Sequence, residues 1–426
     1  MKRLFILAIL CCFVSCKMET GESITYKKDY DQYLFTANKE TYKNAVSQKE
    51  YWSKRLRPDS SGVGDLGPLA AAYTNLFETT GDGQYLKNAE QLYKKAITIA
   101  GNNKDVYQRG LARNYISQHR FAEAKTILVE SYAGVSNKKA TELMLFDVYM
   151  ELGDYETAYT YLGKVKNNSD YNYLIRLSKW SDYKGNLDAA IRYMEQAKGI
   201  ADSRDSKPLK IWTYSNLGDY YGHAGRIGEA YQHYLMTLKL QPDNAYAKKG
   251  IAWINYSFQE DTEEANRILD SVMVNHHVPD YYLLKSEMAD YEGRTSESEK
   301  FLAQFIQAIN EGKYGEMYNG YLIELYAESQ PKEALKLAVK EVENRPTPET
   351  YDLLAFVQLK SGDKDAALET ISKYVEDKTF EPMAQYHAAL IYQAHGMNDK
   401  VKALKAELLD ASFELGPVLS LHAKKL

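Results

Sequence analysis

Residues 218–234 read GDYYGHAGRIGEAYQHY, with glycines at positions 222, 225 and 228 and histidines at positions 223 and 233. Such a stretch can be a phosphate-binding loop, a metal site, or a turn between two helices. The spacing G-x-x-G-x-x-G differs from both phosphate-binding glycine motifs, and no strand precedes it as those motifs require. The sequence therefore predicts a structural turn at this place.

Other candidates for chemistry are equally poorly supported. His276 and His277 form a pair in a loop, but adjacent residues rarely ligate one ion, and no histidine pair at i, i+4 accompanies them. No G-x-S-x-G nucleophile motif is present, and all three cysteines lie within the first 16 residues. We therefore predict no catalytic site, no metal and no cofactor.

The phrase that begins at Gly225 recurs along the chain. Related phrases begin at positions 153, 185, 293 and 362, and in each a glycine is followed five residues later by a small residue. Successive small residues are 35, 34, 32, 40, 35, 33, 36, 33 and 34 positions apart. They are Ala89, Ala124, Ala158, Ala190, Ala230, Ala265, Ser298, Ala334, Ala367 and Val401. A period near 34 predicts stacked helix–turn–helix units.

The residues within one unit support this prediction physically. One face of the first helix carries apolar or small residues at i, i+3, i+4 and i+7, namely Tyr214, Leu217, Gly218 and Tyr221. Gly225 stands where this helix must stop, because glycine accepts the left-handed conformation common just past a helix end. Gly218 and Ala230 leave room for the two helices to approach. A single pair cannot bury its apolar face, so neighbouring units must complete the core.

Residues 211–244 resemble the tetratricopeptide repeat family. Tyr214 stands where the family has Trp, Thr237 replaces a family Ala, and the other family positions match at Leu217, Gly218, Tyr221, Ala230, Tyr234 and Pro242. The resemblance covers residues 68–410 and implies an all-α, right-handed superhelical solenoid of about ten helix–turn–helix units. It identifies a fold and not an activity.

The resemblance also implies where a partner binds. In tetratricopeptide proteins the first helix of each unit lines a concave groove. The matching positions here are Arg109, Arg113, Asp147, Lys179, Asp182, Tyr183, Trp212, Asp219, His223, Glu287, Asp290 and Tyr291. Arg109 and Arg113 are one turn apart, a spacing that suits bidentate binding of a carboxylate. The carboxylate-clamp subclass of the family is not matched, because Arg113, Asp147 and Lys179 stand where its asparagines belong.

The start of the chain resembles a bacterial lipoprotein signal peptide. Residues 1–3 are Met-Lys-Arg, and residues 4–14 are an apolar run too short for the roughly 20 residues of a membrane-spanning helix. The tetrapeptide that ends at Cys16 resembles a lipobox, which implies lipidation of Cys16. An ordinary export signal is the alternative. We expect a protein anchored by lipid in the bacterial cell envelope, at the outer membrane.

The sequence divides into four parts. Residues 1–16 form the signal peptide, 17–67 a tether and an N-terminal capping helix, 68–410 the solenoid, and 411–426 a C-terminal cap. The formal net charge is −5 and becomes −7 when Lys2 and Arg3 leave with the signal peptide. Without a long basic run, such a chain is expected not to bind nucleic acid.

Two functions remain open on this evidence. The first is a scaffold that binds a protein partner or peptide segment in the concave groove, with the membrane contacted through the lipid. The second is a glycan-binding surface lipoprotein, in which Trp212 and exposed members of the 37 tyrosines stack on sugar rings. Beyond the loop at 201–210, the chain lacks long insertions between its helices, which favours the protein-binding scaffold.

Overall fold

A computed structural model describes residues 23–35, 39–57 and 62–426. Within these ranges the chain forms 23 α-helices and no strand. Before the repeats lie α1 (Lys27–Leu34) and α2 (Glu40–Arg55), and after them lies α23 (Ser412–Ala423). No helix of the described ranges is long and apolar enough to cross a membrane.

The remaining twenty helices form ten consecutive pairs, here called units one to ten. The pairs are α3 (Val63–Thr80) with α4 (Gln84–Ile99), α5 (Lys104–Ser117) with α6 (Phe121–Ala133), α7 (Lys138–Glu151) with α8 (Tyr155–Lys164), α9 (Tyr171–Tyr183) with α10 (Leu187–Ser203), α11 (Lys207–His223) with α12 (Ile227–Leu240), α13 (Ala245–Ser257) with α14 (Thr262–Met273), α15 (Asp280–Tyr291) with α16 (Thr295–Glu311), α17 (Asn319–Ser329) with α18 (Pro331–Asn344), α19 (Pro348–Lys360) with α20 (Lys364–Tyr374), and α21 (Pro382–Ala394) with α22 (Asn398–Asp410). This arrangement confirms the predicted fold class, an all-α solenoid of about ten tetratricopeptide-like units.

The periodic small residues explain why the pairs form. Each lies on the second helix of its unit, and the eight alanines among them are fully buried at 0% exposure. In unit five, Gly218 makes room for a side chain: a Cβ atom there would lie 2.5 Å from the ring of Tyr234. On α13, the first helix of unit six, a Cβ atom at Gly250 would also lie 2.5 Å from the Tyr234 ring. The tyrosine therefore fills the space that two glycines leave.

The turn inside unit five confirms the prediction that a left-handed glycine follows the first helix. Gly225 ends α11 in the left-handed conformation, with φ +68°. Unit six has no glycine at this place, and Glu260 adopts φ +54° instead. Because left-handed backbone is sterically unfavourable for residues with a Cβ atom, glycine is the residue that enters such turns most easily.

The solenoid closes on itself along a line of contacts that we call the seam. It joins the turns inside units one to four to the loops that connect units six to ten. The His277 N–H donates to the Thr80 carbonyl oxygen at 2.7 Å, and the Glu316 N–H donates to that of Gln118 at 2.9 Å. At Gly153, a Cβ atom would lie 2.4 Å from the Pro346 carbonyl oxygen. Two turns of the superhelix therefore touch, and the first helices enclose a space that we call the lumen.

The N-terminal segment does not extend from the body as a tether over its described part. The Gln259 side-chain oxygen accepts hydrogen bonds from the N–H groups of Ile24 and Thr25 at 2.9 and 3.1 Å. Further along, the Tyr30 hydroxyl donates to Glu264 on α14 at 2.8 Å. Residues 23–34 thus lie on the second helices α12 and α14, while α2 packs against α3. Cys16 lies outside the described residues.

Candidate functional site

A cavity of about 720 Å³ lies among the first helices α5, α7, α9 and α11. We call it the central cavity. Its wall is apolar in large part, with Met144, Ile175 and Met194 among its lining side chains. Four of the predicted groove residues line it: Arg113, Asp147, Lys179 and Trp212. The pattern of first-helix positions therefore does bring distant residues to one space.

A second cavity of about 400 Å³ lies between the two turns of the superhelix, and we call it the seam cavity. Four predicted residues line it: Lys179, Asp182, Tyr183 and His223. Residues of the distant units ten and nine close its other side, including Glu381 and Glu349. Lys179 and Glu151 line both cavities, so the two spaces are adjacent.

Most charges around the central cavity are paired. Arg176 forms a salt bridge with Asp147, and the Lys179 ammonium lies 2.7 Å from Glu151. Desolvation opposes the charge of Glu151, but Lys179 and Arg345 outweigh it and lower the pKa of this carboxyl to about 2. Arg113 is exposed and forms no salt bridge with a described residue. The cavity therefore offers an exposed guanidinium without a salt bridge beside an apolar wall, although the charge of Arg113 acts on the carboxyl group of Glu78.

Trp212 supplies the aromatic surface of this cavity. Its side chain is 42% exposed, and its ring meets Tyr171 edge to face, with centroids 6.4 Å apart. One aromatic ring therefore remains available to a ligand. Aromatic residues and arginine are the side chains that most often contribute strongly to protein binding.

The seam cavity is acidic in character. Desolvation raises the pKa of the carboxyl groups of Asp182, Glu381 and Glu414. Lys179, Arg345 and Lys378 also line this cavity, and the Nδ1 atom of His223 lies 3.6 Å from Glu414. In the described part of the chain, no group of three or more histidine, cysteine or carboxylate side chains is arranged to hold a metal ion.

Arg109 does not join Arg113 in binding a carboxylate. Its guanidinium donates to the Ser136 carbonyl oxygen at 3.0 Å, to Thr141 at 3.3 Å and to Asp105 at 3.3 Å. The side chain is only 12% exposed. Arg109 therefore has a structural role, and the two-arginine site expected from the spacing is wrong.

The other predicted residues lie outside the two cavities. Asp219 accepts hydrogen bonds from the hydroxyls of Tyr234 and Tyr246 at 2.7 and 2.6 Å. On α15, Asp290 is exposed, Tyr291 donates to Glu260 at 2.8 Å, and Glu287 accepts from Tyr256 at 2.9 Å. Desolvation raises the pKa of Glu287 to about 7.

Three residues of the cavities were missed from the sequence: Glu151, Arg176 and Arg345. Arg176 lies three residues before Lys179 on one helix face, so helical spacing alone would have found it. Arg345 reaches the site from a loop that joins units eight and nine, and no local pattern marks that contact.

Few of the tyrosines are exposed, but four of them line a separate cavity of about 380 Å³: Tyr155, Tyr183, Tyr351 and Tyr374. All 37 lie in the described ranges, and those with more than about a third of their surface exposed are Tyr26, Tyr42, Tyr51, Tyr159, Tyr246 and Tyr321. None of these six lines the central cavity. At the central cavity the glycan-binding alternative therefore keeps Trp212 but none of the exposed tyrosines.

No family model and no curated protein matches this sequence. Among solved structures, a human IFIT1 dimer with m7Gppp-AAAA is 11% identical, with a TM-score of 0.47 over 81% of this chain and 79% of that one. A tetratricopeptide repeat protein from Parabacteroides merdae is 13% identical, with a TM-score of 0.39 over 63% and 93%. These likenesses concern the fold, which is tetratricopeptide-like and consistent with a protein-interaction scaffold.

The comparison corrects one prediction. A mildly acidic net charge led to the expectation that nucleic acid is not a partner. Human IFIT1, whose fold is similar, is solved with m7Gppp-AAAA and with PPP-AAAA. The exclusion of nucleic acid is therefore wrong, because net charge does not report the charge of the surface that a solenoid encloses.

Proposed function

We propose that this protein is a lipid-anchored scaffold of the bacterial cell envelope whose central cavity binds a segment of a protein partner. The observation that carries the proposal is that exposed Trp212 and exposed Arg113, which forms no salt bridge, line one cavity of about 720 Å³. An apolar side chain of the partner would lie on the indole ring, and an acidic group would meet the guanidinium.

The rigidity of the cavity supports this function. Its charged side chains are held by salt bridges between neighbouring first helices, as in Arg176 with Asp147 and Lys179 with Glu151. A preorganised surface loses little conformational entropy when a ligand binds.

The proposed anchor is supported by the position of the first described residues. Ser23 lies beside Gln259, to which its hydroxyl donates at 2.9 Å. Ser23 lies seven positions after Cys16, and an extended chain of that length spans at most ~25 Å. Lipidation of Cys16 would therefore hold the outer surface of units five and six close to the membrane.

Crosslinking in the native envelope, followed by purification, tests the partner. We expect the wild-type chain to enrich a protein that the variants Trp212→Ala and Arg113→Glu lose at least tenfold. Tyr159→Ala is the matched control, because Tyr159 is an exposed aromatic residue on the second helix α8. Retention of the same protein by both cavity variants would refute the proposal. So would binding confined to a glycan or to a capped oligonucleotide.

A further inference from the structure

The C-terminal helix α23 does not simply cover the last unit. It packs against α22 and α21 and also against α11, α13 and α15, which are first helices of units five to seven. Residues 411–426 were expected to form a terminal cap, yet this segment lies in the lumen, with Leu415 and Ala423 buried. The surface that α11, α13 and α15 present to the lumen, where a partner was expected to bind, is therefore occupied by the chain itself.

Phe413 occupies a space that a missing side chain provides. Its ring lies over Gly222 on α11, where a Cβ atom would lie 2.7 Å from the Cε1 atom of the ring. Any larger residue at position 222 would therefore displace the ring. Glycine at this helical position costs helix stability, so its presence is explained by the aromatic ring that it admits.

The main chain of the segment is also recognised. In an unbroken helix the Phe413 carbonyl oxygen would accept a hydrogen bond from residue 417, but Pro417 has no N–H group. Trp253 Nε1 donates to this oxygen at 3.1 Å, and Ser257 Oγ donates at 2.6 Å. The two donors are four residues apart on α13 and so lie on one helix face. Side chains of the lumen thus satisfy the carbonyl group that the proline leaves free.

The bend of the segment fits the lumen closely. Gly416 adopts φ +73° and ψ 171°, a conformation that is essentially restricted to glycine. A Cβ atom at this position would lie 2.9 Å from Glu287 Oε1 and 3.0 Å from the Trp253 ring. The glycine is therefore required both by its own backbone and by its neighbours.

This surface continues into the free cavities. Glu414 and His223 both line the seam cavity, which shares Lys179 and Glu151 with the central cavity. A peptide that entered the central cavity could therefore extend to the place that Phe413 now occupies. At that place the solenoid contacts one aromatic ring, one carboxylate and one carbonyl group of the C-terminal segment. Any peptide with the same pattern can supply these groups.

We propose that the lumen between α11, α13 and α15 is a peptide-binding surface, occupied here by the chain's own residues 411–426. The partner segment competes for it with the same chemistry: an aromatic residue followed by an acidic residue and a Gly-Pro bend. The proposal rests on the proposed function in placing the partner segment in the lumen.

The test uses the full-length protein and a fluorescein-labelled synthetic peptide of residues 411–426. Phe413→Ala in the protein weakens the internal segment, so we expect this variant to bind the peptide about tenfold more tightly than the wild type does. The same peptide with Phe413→Ala should not bind. Adding Gly222→Leu to the protein variant should abolish binding, whereas adding Tyr159→Ala should leave it unchanged.

Two results would overturn the inference. One is a folded Phe413→Ala protein that binds no more peptide than the wild type, and the other is binding that Gly222→Leu does not reduce. If Phe413→Ala unfolds the protein, Glu414→Ala in the protein replaces it, because it removes only the internal segment's contact with His223, and about a threefold gain is expected. Peptide binding can fail while Trp212 and Arg113 still retain a partner, so the failure of this inference is distinguishable from failure of the scaffold function.

Discussion

The guanidinium of Arg345 donates a hydrogen bond to the Glu151 carboxylate at 2.7 Å, although the two residues lie 194 positions apart in the sequence. The contact joins the end of α7 to the loop between units eight and nine. Because Glu151 also accepts from Lys179, the seam and the central cavity share one carboxylate. Closure of the superhelix and the shape of the candidate site are therefore linked.

Arg345→Ala is expected to weaken this closure. The variant leaves Glu151 partly buried with one cation in place of two, at a cost of about 1–2 kcal/mol in the free energy of unfolding. Small-angle scattering should show a larger radius of gyration. Lys336→Ala is the control, because its salt bridge with Glu333 joins side chains that are 73% and 57% exposed. Equal radii for Arg345→Ala and the wild type would show that this ion pair does not hold the seam.

Substitutions at two glycines with almost equal backbone angles distinguish strain in the turn from disruption of the seam. Gly153 has φ +69° and Gly225 has φ +68°, but only Gly153 faces another part of the chain, the Pro346 carbonyl oxygen. Gly225→Ala should cost about 1 kcal/mol from left-handed strain alone. Gly153→Ala should cost about 2–4 kcal/mol, since the added methyl group also overlaps the backbone of the seam. Urea denaturation measures both, and equal losses would contradict the structural difference.

The repeat period identified all ten second helices because each unit needs a small residue where its two helices meet. Ala230 and Ala367 occupy equivalent places in units five and nine for that reason alone. The seam could not be predicted, since Gly153 meets Pro346 only after the small rotations between successive units have accumulated. Helix α23 was missed for a related reason: Phe413 finds its place over Gly222, almost 200 residues earlier, and no periodic pattern links them.

Glu287, which faces the lumen, makes the stability of the folded protein depend on pH. Desolvation raises its pKa from 4.5 to about 7, so the folded state binds this proton more tightly than the unfolded state does. Stability should therefore fall as the pH rises from about 4.5 through 7, by about 2–3 kcal/mol. Glu287→Gln, which stays neutral, should be more stable than the wild type at pH 8, and this difference should be much smaller at pH 5.

Urea denaturation at the two pH values measures this effect. Glu343→Gln on α18 is the matched control, because Glu343 is exposed and its substitution should change stability equally at both values. The quantity to compare is the difference in unfolding free energy between Glu287→Gln and the wild type. If this difference were the same at pH 8 and at pH 5, the Glu287 carboxylate would be as well hydrated in the folded protein as in the unfolded chain.

Cys16→Ala tests the anchor independently of the lumen. Each acyl methylene group that enters the bilayer contributes about 0.8 kcal/mol, and stable anchoring needs more than one acyl chain. Without the thiol no chain can be attached, so the variant should leave the membrane fraction on cell fractionation while its folded body still binds the partner. Cys11→Ala and Cys12→Ala are matched controls that precede the proposed lipidation site and should remain with the membrane. A Cys16→Ala protein that stayed in the membrane fraction would refute the lipid anchor and leave the proposed binding cavity untouched, because Trp212 and Arg113 lie in the solenoid.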